Sequence, residues 1–122
     1  MKVFHCVAAS TNYESHWQIP EYRWALWCAA FQVDSLDGYF DMTPAESAIR
    51  VLTWAIDRFD TDTADLRKLH SAEDRLDLRA NKRHLQGIRK FLIANGGTIS
   101  GAIDESQLTP PEGDTVVVSN SP

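Results

Sequence analysis

The sequence predicts an α+β fold: a helix-dominated compact single domain with a short sheet formed by N-terminal and C-terminal strands. Three features carry that expectation. Residues 2 to 9 hold Val3, Phe4, Cys6 and Val7 without a helical period, as a short buried strand does. The middle of the chain repeats apolar residues at three- and four-residue spacing, the period of helices packed on a core. Towards the other end, residues 98 to 103 and 115 to 119 are short stretches suited to strands.

The elements follow in order. After the first strand, a polar connection through Thr11, Asn12, Tyr13, Glu14 and Ser15 leads to Pro20. Proline suits a first helical turn because it lacks the amide hydrogen that would go unpaired there. Residues 20 to 31 then read as a helix that is apolar nearly all round, Trp24 and Trp27 included, and such a helix belongs at the centre of a core. Asp37-Gly38 readily takes the positive backbone angles of a two-residue turn, which predicts a hairpin between residues 33–36 and 39–42.

Thr43-Pro44-Ala45-Glu46 has the spacing of a capping box, with the threonine hydroxyl and Glu46 satisfying each other's end of the first turn. The helix it opens runs to Phe59 with Ala48, Leu52, Ala55 and Ile56 on one face and Val51 and Trp54 beside it. Asp60-Thr61-Asp62 interrupts this pattern and offers a new cap. Leu66, Leu69, Ala72, Leu76 and Ala80 form one stripe, and Leu85, Ile88 and Leu92 a second, displaced around the axis. Residues 63–95 are therefore either one helix touching two surfaces or two helices broken near Ala80-Asn81. Asn95-Gly96-Gly97 ends the helix, since these residues accept left-handed backbone angles. Residues 1–97 form a helical core domain, and residues 98–122 a strand and loop extension packed on it or extending from it, with a turn at Pro110-Pro111.

Composition narrows the class. At 122 residues with 43% hydrophobic and 24% charged content, the chain can bury one core and is neither collagenous nor wholly disordered. The longest uninterrupted apolar run, Trp24 to Phe31, is far below the ~20 residues a membrane span requires. The first ten residues end in small side chains, but their apolar stretch is short and contains His5, unlike an export leader. A cytoplasmic protein without membrane partners is expected, with Cys6 and Cys28 reduced and buried.

Signatures of chemistry are few. The chain has no glycine-rich phosphate loop, no HExxH, no paired CxxC and no GxSxG elbow. Asp34 to Asp41 resembles a calcium loop, yet with Gly38 at the sixth position the first and twelfth ligand positions fall on Val33 and Pro44. His70 and Asp74 share a face if they lie on one helix, but zinc needs three or four convergent ligands. His16 and Trp17 fall in the polar connection, where they can line a pocket. No catalytic residue, metal or cofactor is expected.

Charge is more informative. The net charge is -5, but Arg79, Lys82, Arg83, Arg89 and Lys90 fall in a stretch with no acid, and without them the chain stands at -10. On a helix these bases gather opposite Leu85, Ile88 and Leu92, a face suited to phosphates or to an acidic partner. Acids gather between residues 34 and 65, with Asp34, Asp37, Asp41, Asp57, Asp60, Asp62 and Asp65 prominent against Arg50 and Arg58, and this region can imitate a nucleic-acid backbone. Trp54 and Arg58 lie at the margin of their helix's apolar face, and Trp17 lies in the connection; such Trp and Arg residues are enriched in interface hot spots.

These features favour a non-enzymatic protein-binding module: a small inhibitor, adaptor or accessory protein using Trp17, Trp54, Arg58 and the basic helix. Accessory proteins of phages and other mobile elements, inhibitors of bacterial defence among them, share these general traits. The alternatives are a structural subunit of a larger assembly, a nucleic-acid-binding protein using residues 79–93, and a small enzyme using histidine and carboxylate.

Overall fold

The computed structural model describes residues 2–10, 13–104, 106 and 116–120; the turn expected at Pro110-Pro111 and the Thr11-Asn12 part of the connection lie outside them. Its strands are β1 (Lys2–Val7), β2 (Tyr13–Ile19), β3 (Phe40–Pro44), β4 (Thr98–Asp104) and β5 (Val116–Asn120). Its helices are α1 (Trp24–Phe31), entered through a 3-10 turn at Glu21–Arg23, then α2 (Ala45–Thr61), α3 (Thr63–Leu69) and α4 (Leu78–Asn95). The sheet order is β3-β4-β1-β2-β5, antiparallel throughout except for the β2–β5 pair. The fold is thus α+β, with terminal strands joined by one from the middle of the chain.

The helices pack on one face of this sheet. Phe4 of β1 is fully buried and stacks on Trp27 of α1 at 5.9 Å, while Phe31 and Phe40 meet it edge-on. Trp17 and Tyr13 of β2 pack against Phe91 of α4 on the same face. Leu52 and Ile56 of α2 and Leu85, Ile88 and Leu92 of α4 complete the core, as their spacing predicts.

Several expectations are corrected. Tyr13, Glu14 and Ser15 belong to β2, not to a connection: Ser15, Trp17 and Ile19 are buried while Glu14, His16 and Gln18 are less so, the two-residue alternation of a strand. The Asp37-Gly38 turn exists, closed by Tyr39 N–H donating to the Leu36 carbonyl, but no hairpin follows. Instead the flanking backbone pairs with β4, Ala102 N–H donating to Leu36 and Phe40 registering with Gly101. α2 starts at the expected place without a capping box, because Thr43 is held in β3 opposite Ile99. The Gly97 carbonyl takes the cap's role and accepts from Ala45 N–H at 2.9 Å. Trp24 is only partly buried, since α1 turns that side outward.

The stretch 63–95 is broken, though well before Ala80. α3 ends at Leu69, which is exposed, so the first stripe does not continue. α4 then begins under a cap from Asp77, whose Oδ1 accepts from Ala80 N–H at 2.8 Å. The intervening loop is held by a buried charge pair. Arg23 has no exposure and donates to Asp74 from Nε at 2.9 Å and from Nη2 at 2.7 Å. Asn81 donates to Asp74, to Leu76 and to Asp77 through Nδ2, and its Oδ1 accepts from Trp27 Nε1 at 2.9 Å.

Burial opposes the charge on Asp74, but hydrogen bonds from Arg23, the Leu76 amide and Asn81, with the guanidinium's charge, outweigh it and hold the carboxyl below its ordinary 3.8. A carboxyl depressed in the folded state contributes stability that is complete above its unfolded pKa and is lost as pH falls through the folded one. Removing one partner strands a buried charge, so Asp74→Ala should cost about 3–5 kcal/mol in urea denaturation at pH 7. Against the double variant Arg23→Met/Asp74→Leu, the wild-type advantage should shrink on acidification to about pH 2.5. An advantage equal at both pH values contradicts this account.

Gly97 yields a second prediction. Its φ is +83°, and a Cβ there would lie 1.8 Å from the Val7 carbonyl oxygen, whereas a Cβ at Gly38 (φ +60°) meets nothing within 4 Å. Gly97→Ala should therefore cost more than about 2 kcal/mol and Gly38→Ala about 1 kcal/mol, by thermal or urea denaturation. Equal costs would refute the steric argument.

Candidate functional site

The exposed side of α2 carries a cluster of side chains that hold one another in place. α2 buries Ala48, Leu52, Ala55, Ile56 and Phe59, and the helical period then turns Trp54 away from the core, leaving the indole 45% exposed. Four residues on, the Arg58 guanidinium carbon stands 5.2 Å from the centroid of that ring, close enough for a cation–π contact. Arg58 is itself fixed from two sides. Nη2 lies 2.7 Å from Asp62 Oδ2, and with its amide oxygen turned inward Gln32 accepts from both terminal nitrogens. Gln32 can reach because it closes α1 in the left-handed conformation, at φ 56°.

The cluster thus joins the end of α1, the end of α2 and the start of α3. Arg50, one turn before Trp54, is exposed along the same side. Trp54, Arg58 and Asp62 sit at successive four-residue steps, a spacing visible in the sequence. Gln32 has no such signal, because its role depends on how α1 meets α2.

Other predicted residues divide. Trp17 is corrected: its indole is 5% exposed in the core between sheet and α4, not on a surface. Arg79, Arg83 and Lys90 are exposed on α4. Lys82 and Arg89 turn towards α2, where Lys82 pairs with Asp60 at 2.8 Å and Arg89 donates to Thr53 Oγ1 at 3.1 Å. The five bases therefore present three side chains outward and lend two to holding α4 on α2.

The acids divide in the same way. Asp37 pairs with Lys2, Asp60 with Lys82 and Asp62 with Arg58, while Asp34, Asp41, Asp57 and Asp65 are exposed and have no ion pair among the described residues.

The histidines do not form the pair the sequence suggested. His70 lies beyond the end of α3, where Nε2 is 2.6 Å from the Leu76 carbonyl, and Asp74 is committed to Arg23. His5 and His16 face each other across β1 and β2, with His5 Nε2 3.6 Å from Glu14. Among the described residues, no three His, Cys, Asp or Glu side chains come together as a metal site, and no helix is long and apolar enough to cross a membrane. Comparison of the chain with protein-family models, with curated proteins and with solved structures finds no match.

Proposed function

We propose that this chain is a non-enzymatic protein-binding module, a small inhibitor, adaptor or accessory protein, that meets its partner through the outer side of α2. The observation that carries this reading is the exposed Trp54 indole held under Arg58. An exposed tryptophan gives up a large apolar area to water, which a partner recovers on docking. Ordering a long side chain at an interface costs roughly 0.5–1.5 kcal/mol, and here Asp62 and Gln32 already hold Arg58 before any partner arrives. Tryptophan and arginine are the residue types most enriched among those that dominate binding energy.

The chemistry of the partner follows from the neighbours. Trp54 calls for an apolar or aromatic recess, and exposed Arg50 beside it for carboxylate or carbonyl acceptors. Cys6 and Cys28 are both buried and free, which supports a reducing compartment such as the cytoplasm.

The test compares tagged wild-type chain with Trp54→Ala in capture from lysate of the source organism, followed by titration of the purified partner. The variant should lose about 2 kcal/mol or more of binding, while its unfolding free energy moves by less than about 1 kcal/mol. A partner held equally by both proteins, or none held by the wild type, ends the proposal.

A further inference from the structure

We infer that the groove between α3 and the first turns of α4 binds a small phosphate-bearing ligand, with Arg67 and Arg79 as its two principal contacts. Two clefts meet there, of about 370 Å³ and about 470 Å³, and both are lined by Arg67, Leu78 and Arg79. The first continues to Lys82 and Asp60, the second to His70 and Asp77.

Of the two acids lining the groove, Asp60 is offset by Lys82 and Asp77 is held at the cap of α4, which leaves the two arginines as an excess of positive charge. Both oxygens of Asp60 accept from Lys82 Nζ, at 3.0 and 2.8 Å, and Asp77 caps α4. The guanidiniums of Arg67 and Arg79, by contrast, have no hydrogen bond or ion pair among the described residues. Two like charges lining one cleft repel, and an anion between them converts that repulsion into attraction.

Phosphate suits this arrangement because a guanidinium presents paired N–H donors that match two phosphate oxygens. Leu78 adds an apolar side chain to the lining of both clefts beside the two bases. The cleft volumes fall within the roughly 300–1,000 Å³ of small-molecule sites, favouring a compact phosphorylated molecule over a nucleic-acid strand. A strand would instead track the outward bases Arg83 and Lys90, which line neither cleft. The groove is independent of Trp54, which lines neither cleft.

Calorimetric titration of the full chain with pyrophosphate and, separately, with a ten-nucleotide single strand tests the inference. Pyrophosphate should bind saturably, about tenfold more weakly in Arg67→Ala and in Arg79→Ala, with part of the loss restored in Arg79→Lys. Binding should be unchanged in Arg83→Ala/Lys90→Ala and in Trp54→Ala. Both arginines are exposed, so each variant should melt with the wild type, and the melting curve is recorded alongside. The inference is overturned by absent pyrophosphate binding, by equal binding in Arg67→Ala/Arg79→Ala, or by binding of the oligonucleotide alone.

Discussion

A guanidinium sealed from solvent must find its counter-charge within the protein, and Arg23 finds it in Asp74, 51 positions further along the chain. That requirement decides where the helical stretch breaks. For Asp74 to reach Arg23, the chain leaves helical geometry after Leu69 and re-enters it only at Leu78. Asn81 then connects the carboxylate to the indole of Trp27, and through it to the aromatic cluster around Phe4. The pair thereby sets the position of α4's first turn, and with it the α3–α4 groove and the distance over which Lys82 meets Asp60.

Much of the fold was legible because apolar periodicity reports burial directly. The faces of α2 and α4, the core role of Trp27, the glycine stop after Asn95 and the strands near both ends of the chain follow from spacing alone. The failures share a physical cause, which is dependence on a distant partner. β2 is rich in polar residues and reads as a loop until β1 and β5 supply its hydrogen bonds on both sides. Thr43 has the signature of a cap yet is claimed by β4, and the Asp37-Gly38 turn also serves a β4 pairing instead of a local hairpin. Asp74, exposed in any helical reading of 63–95, is 6% exposed in the fold because Arg23 waits for it. Of the surface residues, Trp54 and Arg58 were legible from their marginal position on α2. Gln32 and Arg67 were not, since each acquires its setting from a neighbouring helix.

The division of charge also changes meaning in three dimensions. A net charge of -5 describes neither side of the molecule. Part of each sign is spent on internal ties, Lys2 to Asp37, Lys82 to Asp60 and Arg58 to Asp62. What remains unspent includes exposed acids and bases on the same helices, Arg50 and Asp57 on α2 and Asp65 and Arg67 on α3, so an approaching partner meets local fields in place of an averaged acidity.

The placement of β1 bears on how the chain comes into being. β1 occupies the interior of the sheet, yet one of its neighbours is β4, with Val7 paired to Thr98 and Val3 to Ile103. During synthesis β1 and β2 can form their hairpin early, but the other edge of β1 stays without its partner until α1 to α4 have been made. For that interval the nascent chain displays a row of unpaired backbone groups beside Phe4 and Cys6, the kind of edge that recruits strands from other chains. Pairing β4 with β1 is therefore a non-local step, of the kind whose loop-closure cost slows folding.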